Sequence, residues 1–480
     1  MISRPISTSA EPPLCVDMDG TLVRTDTLFE SVLLLLKANP LLIAALPIWL
    51  AGGKANLKRQ ISRRVELDPS TLPYHQEFVA FLRDEHAAGR RIVLVSAADE
   101  AIVRPVADYV GVFHEVIASN GTNNLKGANK RAELCERFGA GGYDYAGDHV
   151  ADLDVWSSAR NAIVVSSDAR LAGRAGERVT RTFPSPPWSF RTLARALRVQ
   201  QWVKNLLVFV ALLMAPEARD PELFVNAFLA FVAFNLCASS VYLANDLLDL
   251  AADRRHATKC RRPFASGDLP LVAGFAMGPV CLLSGLAVAA LLPPSFLVVL
   301  LIYLAATTAY SFRLKHVPLI DVLLLAMLYT GRVIAGGAAT GIVPSPWLLG
   351  FSLFFFLSLA FVKRYSELYG VRQQQQPDGL KVRGYYHSDL ELIATNGAVS
   401  GYISVLVAAL YINSDRVVGL YAHPAALWLI CPMLLYWISR IWLLAHRGVL
   451  KDDPVLFAIK DPSSYVVGAT IAVLLLAARL

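Results

Sequence analysis

From about residue 199 to the C-terminus, apolar runs of about 20 residues recur, each long enough to cross the hydrocarbon core of a bilayer. Such a chain has few choices of fold. In hydrocarbon every backbone N–H and C=O must be paired internally, so runs of this length read as a bundle of membrane helices. We count nine candidate spans, centred near residues 208, 234, 281, 303, 328, 355, 402, 433 and 471. With a cytoplasmic N-terminus, every second loop should face the cytoplasm and carry the excess Lys and Arg. Those loops hold Arg254, Arg255, Lys259, Arg261 and Arg262, then Arg313 and Lys315, then Lys363, Arg364, Arg372, Lys381 and Arg383, then Arg447, Lys451 and Lys460. In the opposite loops Arg219 and Arg416 are the main exceptions.

The residues before about Arg198 read instead as a soluble α/β domain. At 480 residues the chain is too long for one ordinary domain. The net charge of +7 is accounted for by the basic loops, and no nucleic-acid reading motif accompanies it. The six cysteines show no paired spacing, which argues against a disulfide framework or a structural zinc site. Residues 1–12 lack the apolar core of a secretory signal, so the first domain is expected in the cytoplasm.

Within that domain, Leu14-Cys15-Val16 is a short apolar strand followed by Asp17, Asp19 and Gly20. Two acids two residues apart at a strand end are aimed the same way by the pleat. Open α/β sheets place their sites there. Arg91–Ser96 is a second buried-type strand ending in a hydroxyl, Lys130 opens a helical stretch, and Tyr143–Asp148 is a strand ending in an acid, with Asp152 four residues on. Four elements in this order, over roughly residues 13–183, resemble the haloacid dehalogenase (HAD) phosphatase superfamily. The resemblance implies a Rossmann-like α/β fold. It makes Asp17 the nucleophile and Asp19 the acid/base; Ser96 and Lys130 would hold the phosphate. Asp148 would bind Mg2+ with Asp17, and Asp152 would support it. A carboxylate attacks phosphorus only where its charge and the phosphate's are offset, and a cation plus a lysine supply that.

The apolar stretch Ser31–Gly52 is broken by Lys37, Asn39, Pro40 and Pro47, which predicts a helical cap over the phosphatase site rather than a clean span. Residues 184–198, with Pro184, Arg191, Arg195 and Arg198, are expected to be a basic linker or a helix on the membrane surface, and the bundle to occupy 199–480.

In Asn245-Asp246-Leu247-Leu248-Asp249-Leu250-Ala251-Ala252-Asp253, the acids at 246, 249 and 253 share one face of a continuous helix. Uncompensated they would repel, and hard oxygen ligands with room for a diphosphate suit Mg2+. This signature in a nine-span chain resembles the UbiA superfamily of intramembrane prenyltransferases over roughly residues 191–480. Its branch of bacterial decaprenyl-phosphate phosphoribosyltransferases is similar at Gln201–Asn205, Asp253–Pro263, Tyr310–His316 and Lys363–Leu368. Ala257 stands where that branch usually has proline, and the second aspartate-rich motif of aromatic prenyltransferases is not evident, Asp321 being the only acid near the start of the fifth span.

The resemblance implies transfer of 5-phosphoribosyl from phosphoribosyl diphosphate to a polyprenyl phosphate at a bacterial inner membrane, with the fused domain removing the 5-phosphate. Asn245, Asp246, Asp249 and Asp253 would hold Mg2+ against the leaving diphosphate. Lys204, Lys259, Arg262 and Lys315 would clamp phosphates, and His256, Tyr310, Lys363 and Arg364 would add contacts. Two other readings stay open: an aromatic prenyltransferase with an independent phosphatase, and a transporter or lipid-binding protein with a regulatory soluble domain. The oligomeric state is left open.

Overall fold

The computed structural model describes residues 11–479 apart from 122, 186–187, 216–219, 374–381, 415–416, 418–420 and 451–452. Arg219, Lys381, Arg416 and Lys451 lie outside the described residues, as do Gln374, Gln375 and Gln376, and the side chain of Arg372 does too. The chain forms two compact units. One comprises Met1–Leu197 with Tyr242–Gly278, the other Arg198–Val241 with Pro279–Leu480.

The first unit is built on a six-stranded sheet: β1 (Leu14–Val16), β2 (Ile92–Asp99), β3 (Glu115–Ser119), β4 (Asp144–Gly147), β5 (Ala162–Val164) and β6 (Val179–Thr182), in the order β3-β2-β1-β4-β5-β6. Neighbouring strands are parallel throughout. The apolar runs of β1 and β2 follow from this position, because central parallel strands are covered on both faces. Leu14, Val16, Ile92 and Leu94 pack on one face, and Cys15, Val93, Val95 and Tyr145 on the other. Strand order reverses between β1 and β4, so the crevice at their C-terminal ends is the expected place for a ligand.

Between β1 and β2 the chain inserts the helices Thr27–Ala38, Leu46–Ala51 and Lys54–Ser62, with a 3-10 turn at Pro40–Ala45. Asp26 caps the first by accepting from the Leu28 and Phe29 N–H groups. Asn39 ends it and Pro40 restarts the chain as a 3-10 turn, so the apolar stretch is broken where its sequence predicts. Tyr242–Gly278 contributes the end of the helix Pro221–Leu248, the short helix Leu250–Arg255 and the start of the helix Leu271–Ala289.

The second unit is helical. Among the described residues of both units, seven helices are long and apolar enough to cross a membrane: Pro221–Leu248, Leu271–Ala289, Pro294–Phe312, Ile320–Thr340, Pro346–Gly370, His387–Ile412 and Pro424–His446. Nine is reached when each of two bent pairs counts as one span. These are Phe190–Ala196 with Val199–Leu213, and Pro454–Lys460 with Pro462–Ala478, the latter pair bent by 84°. Each pair covers a stretch read from sequence as a single span, centred near 208 or 471. The chain is a multi-pass membrane protein.

Candidate functional site

Asp17 follows β1 directly, and its Oδ1 accepts from the Met18 N–H at 2.9 Å and from Lys130 Nζ at 2.7 Å. Lys130 comes from the helix Ala128–Phe138 and is almost fully buried. It also donates to the Tyr145 hydroxyl at 2.8 Å, and that hydroxyl donates to Asp152 Oδ1 at 2.9 Å. Asp148, just past β4, accepts from the Thr21 hydroxyl at 3.1 Å. Gly20, at φ +81°, has no alternative here: a Cβ would lie 2.1 Å from Asp148 Oδ2.

Asp17, Asp148 and Asp152 offer carboxylate oxygens within 4.8 Å of one another. Burial, with the neighbouring Asp17 and Asp152 charges, pushes the Asp148 carboxyl well above its usual range. Burial likewise raises Asp17, against the opposing pull of Lys130. Three packed carboxylates beside the Lys130 ammonium, with Asp17 and Asp148 both raised in proton affinity, fit a divalent cation with oxygen ligands. Both Asp152 oxygens are engaged, Oδ1 by Tyr145 and Oδ2 by the Asp148 and His149 N–H groups at 3.2 and 3.0 Å. Asp17 and Asp148 are therefore the better placed direct ligands, with Asp152 orienting the loop.

Asp19 accepts from the Thr27 N–H at 2.9 Å, and burial followed by the Asp26 charge raises its carboxyl to about 7. An acid poised there can both give and take a proton near neutrality. Asp17, Asp19, Lys130, Asp148 and Asp152 all line one cavity of about 690 Å³. Ser96 is not part of that lining. It is fully buried in β2, which continues past it to Asp99, and its hydroxyl accepts from the Ala98 N–H at 3.1 Å. Lys58 of the inserted helix Lys54–Ser62 does line the cavity, donating to Ala97 O at 2.6 Å and Asn124 Oδ1 at 3.1 Å. Nothing in the sequence around Lys58 marks it beyond its place on an amphipathic helix.

The Asn245–Asp253 segment departs from the single helix its spacing implies. The helix Pro221–Leu248 ends just before Asp249, which sits at φ −100°, ψ 13° and caps Leu250–Arg255. Asp249 keeps the helical bonds on either side, its N–H donating to Asn245 O at 3.0 Å and its carbonyl accepting from the Asp253 N–H at 2.8 Å, while its carboxylate is 3.9 Å from Lys37 Nζ and half exposed. Asp246 and Asp253 are almost fully buried, and Arg262 Nη1 lies between them, 3.0 Å from Asp246 Oδ1 and 2.6 Å from Asp253 Oδ2. Two buried carboxylates converging on one positive group are a donor set that also suits Mg2+. His256 ends the short helix, with Nδ1 3.3 Å from the Thr258 N–H, and Lys259 opens the turn Lys259–Arg261.

In the second unit, Lys204 and Lys363 both donate to Asp453 Oδ2, at 2.8 and 3.2 Å. Arg364 is buried and donates to Asp321, to Glu367 and, at 2.8 Å, to the Tyr310 hydroxyl. Arg364 and Tyr310, read from sequence as phosphate contacts, thus belong to one network with Asp321, whose other oxygen accepts from Tyr385 at 2.6 Å. Lys315 lies in the turn Leu314–His316.

The family model for UbiA prenyltransferases matches residues 206–460. The chain belongs to the UbiA prenyltransferase family. A model for haloacid dehalogenase-like hydrolases matches residues 14–156, so this UbiA member carries an N-terminal HAD-like domain. It is 37% identical to an uncharacterized protein y4nM of Sinorhizobium fredii over 96% of this chain and 90% of that one. It is 35% identical to the nodulation protein NoeC of Azorhizobium caulinodans over 58% of this chain and 90% of that one. It is 32% identical to a decaprenyl-phosphate phosphoribosyltransferase of Mycolicibacterium smegmatis over 56% of this chain and 86% of that one.

Two residues of the UbiA half were not singled out from sequence. Asp453 joins Lys204 to Lys363 across 249 and 90 residues of chain, a pairing invisible to local pattern. Arg332 is buried in the span Ile320–Thr340, donating to Asn205 Oδ1 and the Tyr303 hydroxyl, both at 2.7 Å, and to Leu328 O. A single arginine in an apolar run was the available signal, since ionisable residues at membrane depth mark functional positions.

Proposed function

We propose that the UbiA half transfers 5-phosphoribosyl from phosphoribosyl diphosphate to a polyprenyl phosphate, releasing diphosphate, and that the HAD-like domain removes a phosphate ester, the 5-phosphate of that product being the candidate. The observation that carries the reading is the similarity to a decaprenyl-phosphate phosphoribosyltransferase over 86% of that protein's length. It coincides with Asp246 and Asp253 gathered around a cation.

The acceptor phosphate is already anionic, so the transferase needs charge neutralisation more than a base. Asn245, Asp246, Asp249 and Asp253 are proposed to hold Mg2+, which when bound supplies Lewis-acid neutralisation of the leaving diphosphate. Arg262 and Lys259 in the first unit, and Lys204, Lys315 and Lys363 in the second, supply positive charge for phosphate oxygens, with His256, Tyr310 and Arg364 supporting them. In the HAD-like domain Asp17 attacks phosphorus, Lys130 offsets its charge, and Asp19 moves the proton. Asp17 and Asp148, steadied by Asp152, are the proposed Mg2+ ligands there. The domains proposed to do this are 13–183 and 199–480, joined by 184–198, with the HAD-like domain on the cytoplasmic side of a bacterial inner membrane.

The test is a donor assay on detergent-purified protein. Wild type and Asp246→Ala are incubated with polyprenyl phosphate, Mg2+ and phosphoribosyl diphosphate, and the lipid products are weighed by mass spectrometry. A ribosyl or phosphoribosyl lipid made by wild type and not by the variant is expected. Turnover of a phenolic acceptor with a prenyl diphosphate, and none with phosphoribosyl diphosphate, would move the assignment to aromatic prenyl transfer.

A further inference from the structure

The cavity that holds Asp17 and Asp148 has a second wall that phosphate hydrolysis alone does not require. Besides the acids, Phe29, Leu50 and Leu57 of the inserted helices line the same cavity as Leu271 and Val272. Leu271 and Val272 are the first residues of Leu271–Ala289, one of the helices long and apolar enough to cross a membrane. Trp188 also lines the cavity while remaining 66% exposed, and Val272 is 49% exposed. Beside this mouth, the inserted segment Pro40–Ala51 is apolar yet leaves Leu41 82% and Ile48 72% exposed. Apolar surface of this kind, left uncovered by the protein, marks a site where lipid or an apolar ligand covers it.

The wall is fixed in place. Arg24 pairs with Asp268 at 2.8 Å, the Phe29 and Phe275 rings are 5.4 Å apart, and Gly267 packs so closely on Arg24 that a Cβ would lie 2.4 Å from its carbonyl oxygen. One cavity therefore brings together charged residues that suit a phosphate and apolar residues that include the start of the helix Leu271–Ala289.

We infer that this site takes a lipid-linked phosphomonoester, its phosphate on Asp17 and its apolar tail lying along Leu50, Trp188 and Val272 toward the bilayer. The inference rests on the phosphatase reading of the HAD-like domain and names its substrate class: a membrane-held phosphate ester, not a soluble metabolite. In the reaction the bond between phosphorus and the sugar oxygen breaks as one forms to Asp17, and Asp19 protonates the leaving oxygen. Asp19 then takes a proton from the water that attacks phosphorus, and Asp17 is released with inorganic phosphate. Water and the monoester in, alcohol and phosphate out, the step balances with no further reactant.

The test uses the full-length protein in lipid nanodiscs with Mg2+ and no phosphoribosyl diphosphate. Phosphate release is followed from farnesyl-phosphoryl 5-phosphoribose and from methyl-phosphoryl 5-phosphoribose, which share the ester and the phosphodiester and differ in the tail. Wild type is expected to prefer the tailed substrate by at least about tenfold in kcat/KM. Leu50→Asn and Val272→Asn, on separate elements, should each shrink that ratio at least threefold. Equal kcat/KM for the two substrates in wild type, with release lost in Asp17→Asn, overturns the apolar wall and leaves the phosphatase standing. A preference that neither substitution reduces overturns the wall as its source. No release from either substrate by wild type overturns the phosphatase reading, and the substrate class falls with it. The wild-type comparison decides even where a variant fails to fold.

Discussion

Arg254 grips Glu30 with both guanidinium nitrogens, at 2.9 and 2.6 Å, and each side chain is less than a tenth exposed. Glu30 lies on the first helix inserted into the HAD-like fold, and Arg254 directly follows Asp253 of the aspartate-rich segment. Removing one partner of a buried bidentate pair strands the other charge, which costs about 3–5 kcal/mol. Glu30→Ala should therefore lower the melting temperature of the purified protein clearly. Arg255→Ala, which breaks an exposed pair with Asp68, should cost no more than about 1 kcal/mol. Equal melting of the two variants would show that the Glu30–Arg254 contact is not a joint of this unit.

Gly267 sits at φ +74° with the Arg24 backbone against it. Gly267→Ala meets both a disfavoured backbone region and a carbonyl oxygen that is not free to withdraw, so destabilisation of about 1 kcal/mol or more is expected. The check is thermal unfolding of this variant beside Gly173→Ala in the helix Ala169–Ala175, where a Cβ meets nothing within 4 Å. Gly173→Ala should be neutral or stabilising.

How far these features can be read from the chain depends on how local they are. Asp17, Lys130 and Asp148 each stand at the end of a strand or the start of a helix, and the parallel sheet brings those ends together; pattern alone locates them. The inserted helices were legible too, because Asn39 and Pro40 break the apolar run. The break at Asp249 was not, since spacings of three and four describe a continuous helix and say nothing of one that stops. Ser96 reads as a strand-end hydroxyl, yet β2 runs on to Asp99 and keeps it buried. Lys58, Asp453 and the Glu30–Arg254 pair depend on residues far apart in the chain, which periodicity does not register.

Cys15 lies in the middle of β1 with no exposed surface, and burial, followed by the Glu115 and Asp144 charges, pushes its thiol up to about 12. The thiolate is the reactive form, so at pH 8 almost none is available in the folded protein. Cys260, in the turn Lys259–Arg261, is partly exposed, its thiol donating to Ala257 O at 3.4 Å. N-ethylmaleimide at pH 8 should mark Cys260 within minutes and Cys15 only after unfolding, as read by peptide mass spectrometry. Rapid marking of Cys15 in the native protein would contradict the burial of β1.

Arg262 stands between Asp246 and Asp253, and this makes a prediction about Mg2+ that does not depend on identifying the substrates. Arg262→Ala leaves two nearly buried carboxylates facing each other with no guanidinium between them, so the variant should melt well below wild type in EDTA. If these acids hold Mg2+, the ion can take over the neutralisation the arginine supplied. A ligand present at 100 times its dissociation constant adds about 2.7 kcal/mol to stability. Titrating MgCl2 should then raise the melting temperature of Arg262→Ala more than that of wild type, where the guanidinium competes for the same oxygens. The control is Asp246→Asn/Arg262→Ala, which lacks one acid and should respond less. Equal Mg2+ shifts in all three proteins would place the ion elsewhere, and the acids at 246 and 253 would be partners of Arg262 alone.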